Sequence, residues 1–281
     1  MDENIRRQLR HVRVSDPAVR LDRFPDFFIV GPQRTGTTWL HAHLRFHPQI
    51  FLAEPKEIFF FSRLTTPEHP GYQSNDLGWY LQFFRDPPWR YVAKNLLTLW
   101  RYRELYQPCV RGEATASYAA LEPDIIGDVA LLNPHLKVIL MIRNPIDRAW
   151  SHAKKDLVRK YNRSVADVPP AEFEAFFRDP YQRRCARYVE QYDNWSAAVG
   201  TERVFVGRFD DIATRPEDFL LDVMRFLDVR SDRKYVGAAV REAINPTEAS
   251  QIPACYQGLL DKLLSEDLRR AEARFGLSWR R

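Results

Sequence analysis

Two stretches of this chain carry side chains suited to gripping an anion. The first is Gly31-Pro32-Gln33-Arg34-Thr35-Gly36-Thr37-Thr38. Its Gly-x-x-x-x-Gly spacing is that of a phosphate-binding loop, in which backbone N–H groups and a helix N-terminus converge on negative charge. A nucleoside triphosphatase would continue with Lys and then Ser or Thr. Here Thr37 and Thr38 occupy those places, and the cation, Arg34, lies inside the loop. The second stretch is Arg143-Asn144-Pro145-Ile146-Asp147-Arg148-Ala149-Trp150-Ser151. Asn144 suits an N-cap, Pro145 the first helical position and Asp147 the first turn. Ser151 then falls about two turns beyond the cap, on the same face. A guanidinium and a hydroxyl placed in this way can hold one phosphate between them.

Both stretches need a strand before them and a helix after them. Phe27–Val30 is apolar and of strand type. Lys137–Ile142 is apolar after its first residue, the pattern of a strand buried on both faces of a parallel sheet. Further strands are expected over 49–53, 109–113 and 203–209. Helices are expected from Trp39 onward and over 78–84, 122–133, 183–199, 216–227 and from 256. Alternating strands and helices give an α/β fold: one domain, with a central parallel sheet flanked by helices in a P-loop-like arrangement. The ligand belongs at the carboxyl ends of the strands, where Arg34 and Arg143 both fall. Residues 1–24, polar and rich in arginine, read as an N-terminal arm before a domain spanning 25–281. Residues 62–78, 85–107 and 158–182 read as loops, the last as a mobile excursion.

Composition excludes several classes. The 281 residues are 45% hydrophobic and 28% charged, which suits one large folded domain and not a disordered chain. The net charge of +5 permits an anionic ligand. The excess is diffuse and lacks interleaved aromatics, so no nucleic-acid partner is expected. Cys109, Cys185 and Cys255 are scattered, without metal-ligand spacing, and read as packing thiols. His41, His43 and His47 share one helix at spacings that suit packing better than a metal. The charged N-terminus lacks a signal-peptide core, and no apolar run approaches the roughly 18 residues of a membrane span. A cytoplasmic protein is the expectation. Arg269, Arg270, Arg274, Arg280 and Arg281 give a basic tail that reads as a solvated helix face.

Arg34-Thr35-Gly36-Thr37-Thr38-Trp39-Leu40, followed in order by Arg143-Asn144-Pro145 and Ser151, resembles the two nucleotide loops of sulfotransferases that use 3′-phosphoadenosine 5′-phosphosulfate (PAPS). Glu57-Ile58-Phe59-Phe60-Phe61, Gly78-Trp79-Tyr80 with Phe83-Phe84, and Gly112-Glu113-Ala114-Thr115-Ala116-Ser117-Tyr118 are similar to segments of the heparan-sulfate type and its bacterial relatives. The resemblance implies transfer of a sulfuryl group to a hydroxyl, or alternatively an amine, of a carbohydrate or small molecule, leaving adenosine 3′,5′-bisphosphate (PAP), with no metal. It implies that the first loop holds the 5′-phosphosulfate through Arg34 and the Thr35–Thr38 amides, and that Arg143 and Ser151 hold the 3′-phosphate. Glu57 matches the family's general base, with Glu54 as the alternative. Trp39 matches an adenine-stacking tryptophan and fits core packing equally well; Tyr188 matches a residue of the adenine site, though its helical spacing suits core packing better. Ala114 stands where the heparan type carries a lysine, for which Lys56 and Lys154 are the candidate substitutes. The rival readings are a nucleotide or small-molecule kinase and a non-catalytic binding protein on the same fold.

Overall fold

The computed structural model describes residues 1–242 and 251–279, so Arg280 and Arg281 of the basic tail lie outside the described residues. After a short helix α1 (Glu3–Gln8) comes β1 (Phe27–Val30), with no exposed residue, and then α2 (Thr37–Leu44). Next are β2 (Ile50–Leu52), the one-turn α3 (Phe60–Arg63), α4 (Leu77–Leu81) and α5 (Pro88–Tyr102). β3 (Val110–Ala114) leads to α6 (Pro123–Leu132), and β4 (Lys137–Ile142) to α7 (Pro145–Ala153). α8 (Pro170–Arg178), α9 (Pro180–Arg184) and α10 (Tyr188–Val199) precede β5 (Val204–Arg208). α11 (Phe209–Thr214), α12 (Pro216–Phe226) and α13 (Ala254–Phe275) complete the described elements.

The strands form one parallel sheet in the order β2-β3-β1-β4-β5. Successive side chains of a strand point to opposite faces. Phe28, Val30, Val138, Leu140 and Ile142 enter one core with α6 and α10, through Ile125, Ile126, Val129 and Trp195. Phe27, Ile29, Ile139 and Met141 enter the other with α2 and α12, through Leu40, Leu44, Phe219 and Val223. Both faces of the sheet are covered, so the carboxyl ends of its strands are where a ligand is expected. A third cluster gathers Ile146, Trp150, Phe173, Phe177, Tyr256 and Leu260 from α7, α8 and α13.

The loop expectations at 85–107 and 158–182 are corrected. The first contains a 15-residue helix, α5, and the second contains α8 and α9, with Phe173 and Phe177 buried one turn apart. Pro88, Pro170 and Pro180 sit at the first turn, where proline's missing N–H has no partner to lose. The single helix expected over 183–199 is two, interrupted at 185–187. Residues 64–76 are irregular, as expected.

The N-terminal segment is fastened to the sheet layer. Asp128 of α6, 1% exposed, accepts the backbone N–H groups of Arg10, His11 and Val12 at 2.9, 2.7 and 3.0 Å.

Candidate active site

The loop after β1 is built by two glycines with positive φ, +145° at Gly31 and +95° at Gly36. A side chain on Gly31 would meet the Met141 carbonyl of β4 at 2.6 Å, so the loop can lie against its neighbouring strand only with glycine here. The Thr35 hydroxyl, fully buried, donates to the Pro32 carbonyl at 2.8 Å and closes the turn on itself. Gln33 is held from outside: its amide donates to the Tyr181 hydroxyl of α9 at 2.7 Å. Gly36 is the N-cap of α2 and supplies no capping side chain. The first-turn amides of α2, at Thr37, Thr38 and Trp39, therefore face the rim without an intrahelical acceptor, as a receptor for negative charge requires.

β1 and β4 are neighbours, with Val30 level with Leu140, so the loops that follow them meet. Arg34 Nε donates to Ser151 Oγ at 3.0 Å, and Arg143 Nη1 donates to the Arg34 carbonyl at 3.1 Å. These contacts join residues 117 and 109 positions apart. The cap expected for α7 is present: Asn144 Oδ1 accepts from the N–H groups of Ile146 and Asp147, which aims the helix and with it Ser151. Phe209 of α11 packs under Arg143, with the guanidinium 4.2 Å from the ring centroid. Burial pushes the Arg34 guanidinium down from its ordinary range, and nearby Arg143 and Arg159 push the same way, against Asp156. Burial lowers Arg143 as well, with Asp147 the largest opposing influence. Both stay cationic at neutral pH, in a setting where positive charge dominates and an anion would be welcome.

On the other side of β1 lies β3, with Ala114 level with Ile29. Glu57 sits at its carboxyl end. Glu57 N donates to the Ala114 carbonyl at 2.9 Å, and Glu57 Oε2 accepts the Ala116 N–H at 2.9 Å. Its other oxygen contacts the Lys56 ammonium. β3 and β4 flank β1 and so lie roughly 10 Å apart, which puts Glu57, bonded to the end of β3, and Arg143, just past the end of β4, on opposite sides of the loop. Glu54, the alternative base, is engaged elsewhere, with Arg45 at 3.1 Å and Arg90 at 3.7 Å.

Two further expected site residues border these loops: Trp39 in the first turn of α2, and Tyr188 at the start of α10, close enough to Arg143 for each to act on the other's charge. Trp39, 4% exposed, packs on His43 and Phe219, with its indole N–H directed at the Val240 carbonyl. Tyr188 is fully buried, and burial raises its hydroxyl to about 12. Ala114 is buried, Lys56 lies against Glu57, and Lys154 Nζ lies 5.8 Å from the Trp150 ring. Of the two candidate lysines, Lys56 is the one beside the carboxylate.

Sequence reasoning missed the residue behind Glu57. Glu113, 1% exposed, accepts from Thr115 Oγ1 at 2.6 Å and from the Tyr80 hydroxyl. Burial raises its carboxyl to about 7, against these hydrogen bonds and with Glu57's charge adding to the rise. The signal available was a glutamate inside a strand, a place where a carboxylate needs a reason. The folded protein holds this proton up to about pH 7, whereas a free glutamate releases it near 4.5. The folded state is thus the better proton binder in that window, and stability falls as pH rises through it. Denaturant titrations at pH 5 and pH 8 are expected to show the parent losing about 3 kcal/mol more than Glu113→Gln. Parallel losses would mean that Glu113 is ionised throughout.

A parallel sheet whose central strand–helix turn presents a bare helix N-terminus between two arginines defines an anion-binding α/β protein of the P-loop-like class. The sulfotransferase family profile matches residues 25–233, and the chain belongs to that family. It is 33% identical over 233 residues to a human bifunctional heparan sulfate N-deacetylase/N-sulfotransferase 2, covering 78% of this chain and 24% of the relative. A Drosophila melanogaster bifunctional heparan sulfate N-deacetylase/N-sulfotransferase is 26% identical over 237 residues, 79% of this chain and 21% of its own length. The chain thus spans about a quarter of these relatives. Among solved structures, a sulfotransferase from Alicyclobacillus acidocaldarius superposes with TM-score 0.61 at 26% identity, covering 90% of this chain and 96% of that one. A mouse sulfotransferase in complex with PAP shares the fold, with TM-score 0.50 at 15% identity, 97% of this chain and 92% of that one.

Proposed function

We propose that this chain transfers a sulfuryl group from PAPS to a hydroxyl of a carbohydrate or small-molecule acceptor, with an amine as the alternative acceptor. The observation that carries the reading is the meeting of Arg34, Ser151 and Arg143 across the β1 and β4 loops. Two guanidinia, a hydroxyl and an uncapped helix N-terminus make a donor set suited to the two phosphates of such a nucleotide. Arg34 and the Thr35–Thr38 amides hold the 5′ side; Arg143 and Ser151 hold the 3′-phosphate. When bound, PAPS supplies an electrophilic sulfur and a phosphate that takes up negative charge as the bond between them breaks. Arg34 and the α2 N-terminus receive that charge. Glu57 takes the proton from the acceptor as its oxygen closes on sulfur. Lys56, in contact with Glu57, balances the carboxylate before the proton arrives.

The test is ligand-dependent melting. PAP without metal is expected to raise the melting temperature and Mg-ATP to leave it unchanged; the reverse would sink the proposal and favour the kinase. Arg143→Ala is expected to weaken PAP binding about ten- to a hundred-fold, the worth of a charge-assisted contact, and to leave adenosine 5′-phosphate binding nearly unchanged. Equal losses for both ligands would show that Arg143 does not read the 3′-phosphate.

A further inference from the structure

α5 is amphipathic with its apolar side outward. Trp89, Val92, Leu96, Leu99 and Trp100 are 73, 56, 64, 45 and 76% exposed. Their spacing lays them along one stripe of a helix about 22 Å long. The polar side is what fastens the helix. Arg90 donates to the Leu52 carbonyl at 3.0 Å and pairs with Glu54. Lys94 donates to the Tyr106 hydroxyl at 3.2 Å and lies 5.3 Å from the centroid of the Phe51 ring. Asn95 Oδ1 accepts the Tyr106 N–H at 3.0 Å. Because the bonded groups lie underneath, the helix cannot roll to bury its apolar stripe without breaking them.

We propose that this stripe docks the protein on an anionic membrane surface. Its charge chooses the occupant. Residues 88–103 contain no acidic residue, and of their four cations Arg90 and Lys94 are used underneath while Arg101 and Arg103 remain outside. Arg85, Arg101 and Arg103 are exposed at the two ends of the stripe. The nearest following acid, Glu104, is taken up by Arg230 at 2.7 Å and by Lys234. A second copy docked by the same stripe about a two-fold axis would bring these arginines against their own kind. An anionic bilayer instead accepts tryptophan and leucine at the level of its headgroups and pairs with flanking arginines. The inference does not depend on the sulfuryl-transfer reading, and its test uses no nucleotide.

The full chain is mixed with vesicles of phosphatidylcholine alone, or of phosphatidylcholine with phosphatidylglycerol, and floated at low and high salt. Binding is expected to the anionic vesicles, roughly 100-fold tighter than to the neutral ones, and weakened by salt. Trp89→Ser with Trp100→Ser, at positions whose exposure leaves the core untouched, is expected to reduce it at least ten-fold with an unchanged melting temperature. Arg85→Gln with Arg101→Gln is expected to remove the preference for anionic lipid, which keeps the test open should the tryptophan variant misfold. Flotation with neither vesicle, equal flotation with both, or a lipid-free dimer that the tryptophan variant abolishes would each overturn the proposal.

Discussion

Glu57→Gln is expected to lower sulfuryl transfer by 100- to 10,000-fold, the range that a positioned general base contributes, while PAP affinity stays within about two-fold. The substitution is nearly isosteric. The amide oxygen of glutamine can still accept the Ala116 N–H, so the local backbone keeps its partner. What disappears is the ability to take a proton, together with the charge that faces Lys56. The measurement is radiolabelled sulfate transfer to a panel of sugars, phenols and amines, beside a PAP titration by calorimetry. Unchanged turnover would remove Glu57 from the mechanism. Loss of turnover and of PAP binding in equal measure would recast it as a residue that shapes the nucleotide loop.

Arg34→Ala is expected to cost about 100- to 1000-fold in kcat, with a smaller rise in KM for PAPS. Charge builds on the leaving phosphate as the reaction proceeds, so a cation aimed there binds the transition state more strongly than the ground state. That difference is read in kcat; a change confined to KM would mean that Arg34 serves binding alone. Arg34→Lys is expected to recover only part of the loss. A lysine restores the charge, but not the planar fork whose Nε reaches Ser151.

The sheet and the loops after β1 and β4 were legible because their signals are local and agree with one another. Apolar runs, paired glycines and an Asn-Pro helix start each fix a piece of backbone, and the register of β1 with β4 then brings the pieces together. Proline misled where it opened a helix. Six described helices have proline in the first turn: Pro88, Pro123, Pro145, Pro170, Pro180 and Pro216. At Pro88 and Pro170 another proline precedes it, and the pair looks like a stop. α5 hid for a second reason: its apolar stripe faces outward, so its pattern named no core for it to join. Trp39 and Tyr188 match motif positions, but how deeply each ring is buried depends on neighbours that the motif does not contain. Glu113 was invisible for a related reason. Its raised proton affinity comes from burial in a core that distant segments build, against the hydrogen bonds it accepts from Thr115 and Tyr80.

Asp128 bears on how the protein can be cut. The family match begins at residue 25, which invites a module boundary there. Yet this carboxylate of α6 is saturated by three amides from residues 10–12. Trimming the chain at the similarity boundary would strip from this carboxylate the three amides that hold it. Grafting, splicing and fusion designs that treat residue 25 as a seam would therefore divide a unit that electrostatics has joined. The workable seam lies upstream of Arg10.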